Sequence, residues 1–411
     1  VIAASTSARV RILTALVGLG SIGCLGCANN SAEPTDTEAR ANDEDAAAEP
    51  TPAYVVASLV SSSDDDSAMY VSFVDSLDGQ TVDHRKGREF PGSSDLWVYG
   101  GNVFVSDYET QVITKFRVSG TELIQEGRMG LGAYDVTSFG FWMNTFIDEH
   151  KAYIAATPDT VIIWDPTKME ILDTLELPTP EGDATHRAVA AYGDRATPIR
   201  DGLLYLPVYY ADESYFEFLP HSTLHVIDTE SDAVVETIET PCPGLDFATR
   251  FGDDLYFSSW VFAPGGAAVL DGPKTCVVKV PADDPTGAEV AFDMADITDG
   301  LEAGLFRSVG ADRAMLSVLD PSHTEVEGAD VGTIAFGANW RFWSYDLETG
   351  ASAPIDGIDW NAGSAYPAET RDPIILVPSG DYSDTTAYDL SGDKAKPRLK
   401  TPGWTLRLFE L

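Results

Sequence analysis

His186 and Arg187 stand side by side in a chain with only 26 Lys and Arg against 66 Asp and Glu. An imidazole can move a proton near neutral pH, and a guanidinium can clamp carboxylate or phenolate oxygens. Tyr209, Tyr210, Tyr215, Phe216 and Trp260 follow, and their rings offer flat apolar faces. Beside a scarce Arg, such faces suit a planar anionic ligand or the hot spot of a partner protein. The alternative for Arg187 is a structural pair with an Asp across a seam. The set supports capture more than turnover. Ser, His and Asp are plentiful, yet no nucleophile elbow is written, and no catalytic residue is assigned. The six His are scattered and residues 28–411 hold no Cys-x-x-Cys, so no metal site is assigned either. Asp64, Asp65 and Asp66, and the run Gly380–Asp384, group oxygens that Ca²⁺ could take, but without EF-hand spacing, so solvated turns are the reading preferred over a Ca²⁺ site.

The net charge of −40 narrows the partners. A polyanion would be repelled, so no nucleic acid is expected. Anionic lipid would also be avoided unless a covalent anchor holds the chain there. Either the charge keeps the surface soluble, or it steers cationic or metal-bearing ligands.

The N-terminal stretch directs the chain to a compartment. Arg9 and Arg11 precede an apolar run, Ile12–Gly26, too short for a membrane span of about 20 residues. Its end, with Cys24 after Gly23 and Cys27 after Gly26, resembles a bacterial lipobox. The usual Leu three residues before the cysteine is replaced by Ser21 or by Cys24 itself. The resemblance implies cleavage and lipidation at Cys27 or Cys24, and anchoring to a bacterial membrane, the outer membrane on its periplasmic or surface side. Residues 1–27 then form the signal. Residues 28–52, rich in Ala, Glu, Asp, Thr and Pro, form a disordered acidic tether with almost nothing to bury. In an oxidising compartment, Cys242 and Cys276 can close a disulfide.

From residue 53 to 411 the chain reads as short β runs separated by Gly, Asp, Asn and Pro. One hairpin recurs around Gly100, Asp148, Asp201, Gly252, Gly310 and Asp372, and a third strand ending in an Asp turn often follows, as in Val161–Asp165. Four short strands repeated at intervals of roughly 45–60 residues predict an all-β fold, a single β-propeller of about seven four-stranded blades. Six or eight blades, or a pair of β-sandwiches, are the alternatives. The first unit lacks an inner strand, and Trp404–Leu411 is expected to supply it and close the ring.

In a propeller the inner strands start on the face where the loops between second and third strands turn. That places Asp95, Asp135, His186, Arg187 and Asp246 at one channel mouth. Three longer loops should border it, at Tyr209–Thr223, at Trp260–Thr275 with Phe262, and at Asp320–Gly332 with His323. Arg200, Arg250, Arg307 and Arg371 end inner strands at the opposite mouth, as seam salt bridges or as an anion site.

The pattern, with Thr185-His-Arg-Ala-Val and Leu224-His-Val-Ile-Asp-Thr, looks like the myxobacterial β-propeller lipoproteins of the myxochelin iron-transport regulator type. The resemblance spans about residues 53–411 and implies an accessory role in siderophore or iron uptake, with a siderophore-uptake component as partner. It brings no catalytic residues. A ferric catecholate is anionic, so it would need a local basic site such as Arg187. The function expected is therefore ligand or partner binding without catalysis and without a cofactor. The alternative is a propeller enzyme, a lyase, lactonase or quinoprotein dehydrogenase, acting at the channel mouth.

Overall fold

The computed structural model describes residues 52–61, 66–134, 136, 144–191, 197–323, 326 and 328–411. Cys24, Cys27, residues 28–51 of the tether, Asp64, Asp65 and Asp135 lie outside them.

Alternating β-branched and aromatic residues build seven antiparallel sheets, the blades of a seven-bladed β-propeller. Their inner strands are, for blades 1 to 7, Trp404–Glu410, Ser94–Tyr99, Asn144–Asp148, Arg187–Ala190 continued by Ile199–Arg200, Leu245–Phe251, Ala303–Ser308 and Tyr366–Pro367. The turns between first and second strands fall where the sequence put them. They use left-handed residues at Gly100, Gly101, Asp201, Gly202 and Gly252, which the tight turns require.

The last strand closes the ring. Trp404–Glu410 pairs antiparallel with Tyr54–Ser61, Val55 facing Phe409 and Ala57 facing Arg407, with a bulge after Ala57. Closure removes a sheet edge that would otherwise invite aggregation. Blade 7 also gains a fifth strand, Gln80–Thr81, parallel to its outer strand Lys396–Pro402.

The core lies in the seams between blades. Successive residues of a strand point to opposite sides. Val55 and Ala57 therefore pack with Leu96 and Val103 of blade 2, while Val56 packs with Ile374 and Leu376 of blade 7. Phe104 and Trp164 meet in the same way between blades 2 and 3. Cys242 and Cys276 are bonded within the cluster between blades 4 and 5, their Cα atoms 5.5 Å apart.

Two of the expected loops are shorter or more ordered than the sequence suggested. Tyr209–Thr223 is mostly hairpin, because Leu203–Ala211 and Phe218–Asp228 extend into it and only residues 212–217 turn. Asp212 holds that turn, accepting from the N–H groups of Ser214, Phe216 and Glu217. Residues 260–275 contain the helix Phe262–Leu270, and Val331–Phe336 forms a second helix in the next loop.

Candidate functional site at the upper mouth

On the face where inner strands begin, blades 4 to 7 and blade 1 contribute a connected set of rings. Phe216, from the turn of blade 4, lies 5.6 Å from Phe262 in the helix of blade 5. Phe262 lies 5.5 Å from Phe336 of blade 6 and 4.8 Å from Trp260. Trp260 stacks on Tyr366 of blade 7 at 4.9 Å, and Tyr366 stacks on Trp404 of blade 1 at 6.0 Å. Small residues permit this approach. A Cβ at Gly304 would come within 2.6 Å of the Trp260 carbonyl oxygen, and Gly266 meets the Phe216 carbonyl. The loops of blades 4, 5 and 6 thus pack on one another as a cap.

Arg187 opens the inner strand of blade 4 and is exposed. Among the described residues it reaches no Asp across a seam. Its Nη2 donates to the Tyr215 hydroxyl at 2.9 Å, with the guanidinium 5.2 Å from that ring's centroid. Tyr215 can turn back toward it because it adopts a left-handed φ of 61°. His186 faces its own loop, Nδ1 lying 2.8 Å from Asp183 Oδ1. The Asp183 carboxyl is held well below its usual range by the Thr185 backbone N–H, then by His186.

Tyr209 is half-buried, with its ring 5.8 Å from Phe218. Burial pushes its hydroxyl well above the usual range, reinforced by the charges of Asp246 and Tyr215. Asp246, second in the inner strand of blade 5, accepts the Trp260 N–H at 2.6 Å. Burial pushes its carboxyl well up despite that bond. Arg187, Tyr215, Tyr209, Asp246 and Trp260 therefore form one run across the corner between blades 4 and 5.

Two sequence-chosen residues do not fit as expected. Tyr210 is 1% exposed and points away from this run, its ring 4.9 Å from His221. Trp260 is not an exposed aromatic: it is 7% exposed, at the centre of the ring network. Asp95 is at the mouth but engaged by Arg407 of blade 1 at 2.6 Å. His323 stacks on Trp360 at 3.9 Å. Sequence reasoning missed Phe336, Tyr366, Trp404 and Arg407. The rule that singled out Asp95 and Asp246, position at the head of an inner strand, also selects Tyr366 and Trp404. Two indole N–H groups, Trp260 Nε1 and Trp404 Nε1, are buried without a hydrogen-bond partner among the described residues.

At the opposite mouth the four inner-strand arginines hold seams. Arg200 donates to the Asp253 and Val280 carbonyls of blade 5, and Arg250 to the Ile199 carbonyl of blade 4. Arg307 faces Glu369 of blade 7 at 3.9 Å, and Arg371 pairs with Glu410 of blade 1. The Gly380–Asp384 run is a turn in which Asp381 accepts from Ser379 and Ser383. Among the described residues, no three His, Cys, Asp or Glu converge as a metal site would need.

No family model and no curated protein matches the chain. Among solved structures it is similar to a protein from Lactobacillus plantarum, 9% identical, covering 88% of this chain and 100% of that one, TM-score 0.52. It is also similar to apo AztD from Citrobacter koseri, 12% identical over 87% and 97% of the two chains, TM-score 0.43. BamB from Moraxella catarrhalis is 11% identical over 78% and 82%, TM-score 0.40. At these identities the likeness is one of fold.

Proposed function

We propose that this protein is a lipid-anchored, extracytoplasmic β-propeller that binds a ligand or partner at its upper mouth and does no chemistry on it. The observation that carries this reading is the run Arg187–Tyr215–Tyr209–Asp246–Trp260, where a scarce cation, two phenols and a carboxyl meet an aromatic wall. A rigid ring with its polar groups gathered at one end of the channel is a scaffold for recognition. The charged start, the short apolar run and the Gly-Cys pairs support the anchor. The resemblance to siderophore-linked lipoproteins makes a ferric catecholate the first compound to try, with Arg187 as the residue on which its binding depends.

Hydrogen exchange of the anchored protein, with and without cell-envelope extract or ferric catecholate, tests the reading. Segments 209–217 and 260–262 should gain protection in the wild type and lose that gain in Arg187→Ala. Protection elsewhere, or gained equally by the variant, would overturn it. In the same cells, replacing both Cys24 and Cys27 by Ser should release the protein from washed membranes, and retention would refute the anchor.

A further inference from the structure

At the opposite mouth the seam between blades 6 and 7 is open, and the backbone explains why. The inner strand of blade 7 is short, with Tyr366 and Pro367 facing Leu376 and Ile375. Glu369 then joins blade 1, donating its N–H to the Leu408 carbonyl and accepting from the Glu410 N–H. The chain thus moves to the side away from blade 6. A cleft of about 290 Å³ lies between the two blades, with Met315 of blade 6 and Pro367 and Ile375 of blade 7 in its apolar lining. Arg307 faces this cleft because of a bulge. Between Gly304 and Arg307 the inner strand of blade 6 carries one residue more than its partner strand, and Leu305 takes a left-handed φ of 56°. The extra residue changes which side chains face which seam. Phe306 packs among rings of blade 5, while Arg307, paired opposite Met315, turns to blade 7. A left-handed φ is unfavourable for a residue with a Cβ, and here it delivers a cation to the seam. Arg371, in the turn that follows the inner strand of blade 7, lines the same cleft with its side chain 88% exposed.

We infer that this cleft binds a small organic carboxylate, its oxygens held by Arg307 and Arg371 and its apolar end set against Met315 and Ile375. The site lies at the other end of the channel from the upper mouth and does not depend on what binds there. Among the described residues, the lining carries two guanidinium groups against one carboxyl, Asp372, in a chain where acids outnumber bases 66 to 26. That local excess of positive charge selects an anion. Glu410 takes the Nε and Nη2 donors of Arg371. A guanidinium has five N–H donors in a planar fork, so a second carboxylate can share it. The charge of the ligand is limited to one. Glu369 and Glu410 border the adjoining opening beside Arg371, and with Asp372 they repel a dianion more than a carboxylate. The cleft is small for a ligand site, which suits a chain of a few carbons.

Fluorine NMR of trifluorobutanoate, titrated with the purified full chain, tests this. Saturable line broadening is expected, reversed by butanoate but by neither butanol nor an equal concentration of phosphate. Arg307→Gln and Arg371→Gln should each weaken binding by about tenfold. Arg307→Lys keeps the charge without the fork and should retain part of the affinity. Arg371 is exposed, so its variant keeps the fold even where Arg307→Gln does not, and thermal melts of each variant separate lost binding from unfolding. Arg187→Ala, at the upper mouth, should bind as the wild type does. Broadening that never saturates, displacement by phosphate as strong as by butanoate, or full binding by a folded Arg371→Gln would overturn the inference. Loss of binding in Arg187→Ala alone would place the carboxylate at the upper mouth and overturn it as well.

Discussion

Arg407 of the closing strand and Asp95 at the head of the second blade form a buried ion pair, Nη2 to Oδ2 2.6 Å, with side chains 1% and 10% exposed. The pair ties the last strand of the chain to the blade beyond the one it completes. Elsewhere too the scarce cations sit on seams: Arg88 on the Leu123 carbonyl, Lys151 on Asp232, Arg313 on the Leu390 carbonyl. At these seams apolar packing is supplemented by a cationic group.

Removing one partner of the Arg407–Asp95 pair leaves a largely buried charge without its counter-ion. Arg407→Ala should lower unfolding free energy by about 3–5 kcal/mol, and Asp95→Asn should also destabilise strongly. Replacing both with apolar residues of similar volume should recover much of the loss. Urea unfolding of the three variants measures this. A loss below about 1 kcal/mol for Arg407→Ala, the size expected of a surface pair, would show that the pair does not hold the ring shut.

The Cys242–Cys276 bond closes a loop with a sequence separation of 34 residues between blade 4 and blade 5. Loop entropy alone gives about 3–4 kcal/mol of stabilisation for such a span. Reduction, or the double replacement by Ala, should lower the melting temperature by several degrees. Peptide mapping without reductant should recover the two cysteines linked. Two alkylatable thiols in the unfolded, unreduced protein would contradict the bond.

The hairpin turns were legible because a tight reversal needs Gly or Asp with positive φ, and these residues recur at Gly100, Asp201 and Gly252. Ring closure was legible from a missing inner strand in the first unit. The aromatic, acidic stretch from Tyr209 has the pattern of a loop because its alternation is interrupted by Asp212, Glu213 and Glu217, yet strands enter it from both sides. The helix Phe262–Leu270 is Ala- and Gly-rich and mostly buried, so it carries no amphipathic stripe. The stack of Trp260, Tyr366 and Trp404 depends on Trp260 meeting a ring more than a hundred positions further along the chain, across three blades, and no local pattern encodes that contact. Arg187 opens an inner strand, a position the repeat pattern announces, but its partner, Tyr215, depends on a backbone φ that the sequence does not announce.

His225 is fully buried in blade 4, with Nε2 3.0 Å from Thr179 Oγ1 and Nδ1 3.2 Å from Thr237 Oγ1. Burial lowers its pKa to about 4. In the unfolded chain the value is about 6.5. Above that pH both states are neutral and the site contributes its full stability. As pH falls from about 6.5 toward about 4, the unfolded chain takes up a proton that the folded protein refuses, so stability falls. Below the folded value the loss levels off, at roughly 3 kcal/mol in total. Asp246 acts in the opposite sense, because its folded carboxyl holds its proton to higher pH than the unfolded one. His225→Gln retains a donor and an acceptor for the two threonines but does not titrate. Urea unfolding at about pH 7, 5.5 and 4.5 should therefore show a flatter decline in this variant than in the wild type. Parallel declines in the two proteins would mean that carboxylates, not His225, set the acid sensitivity of the fold.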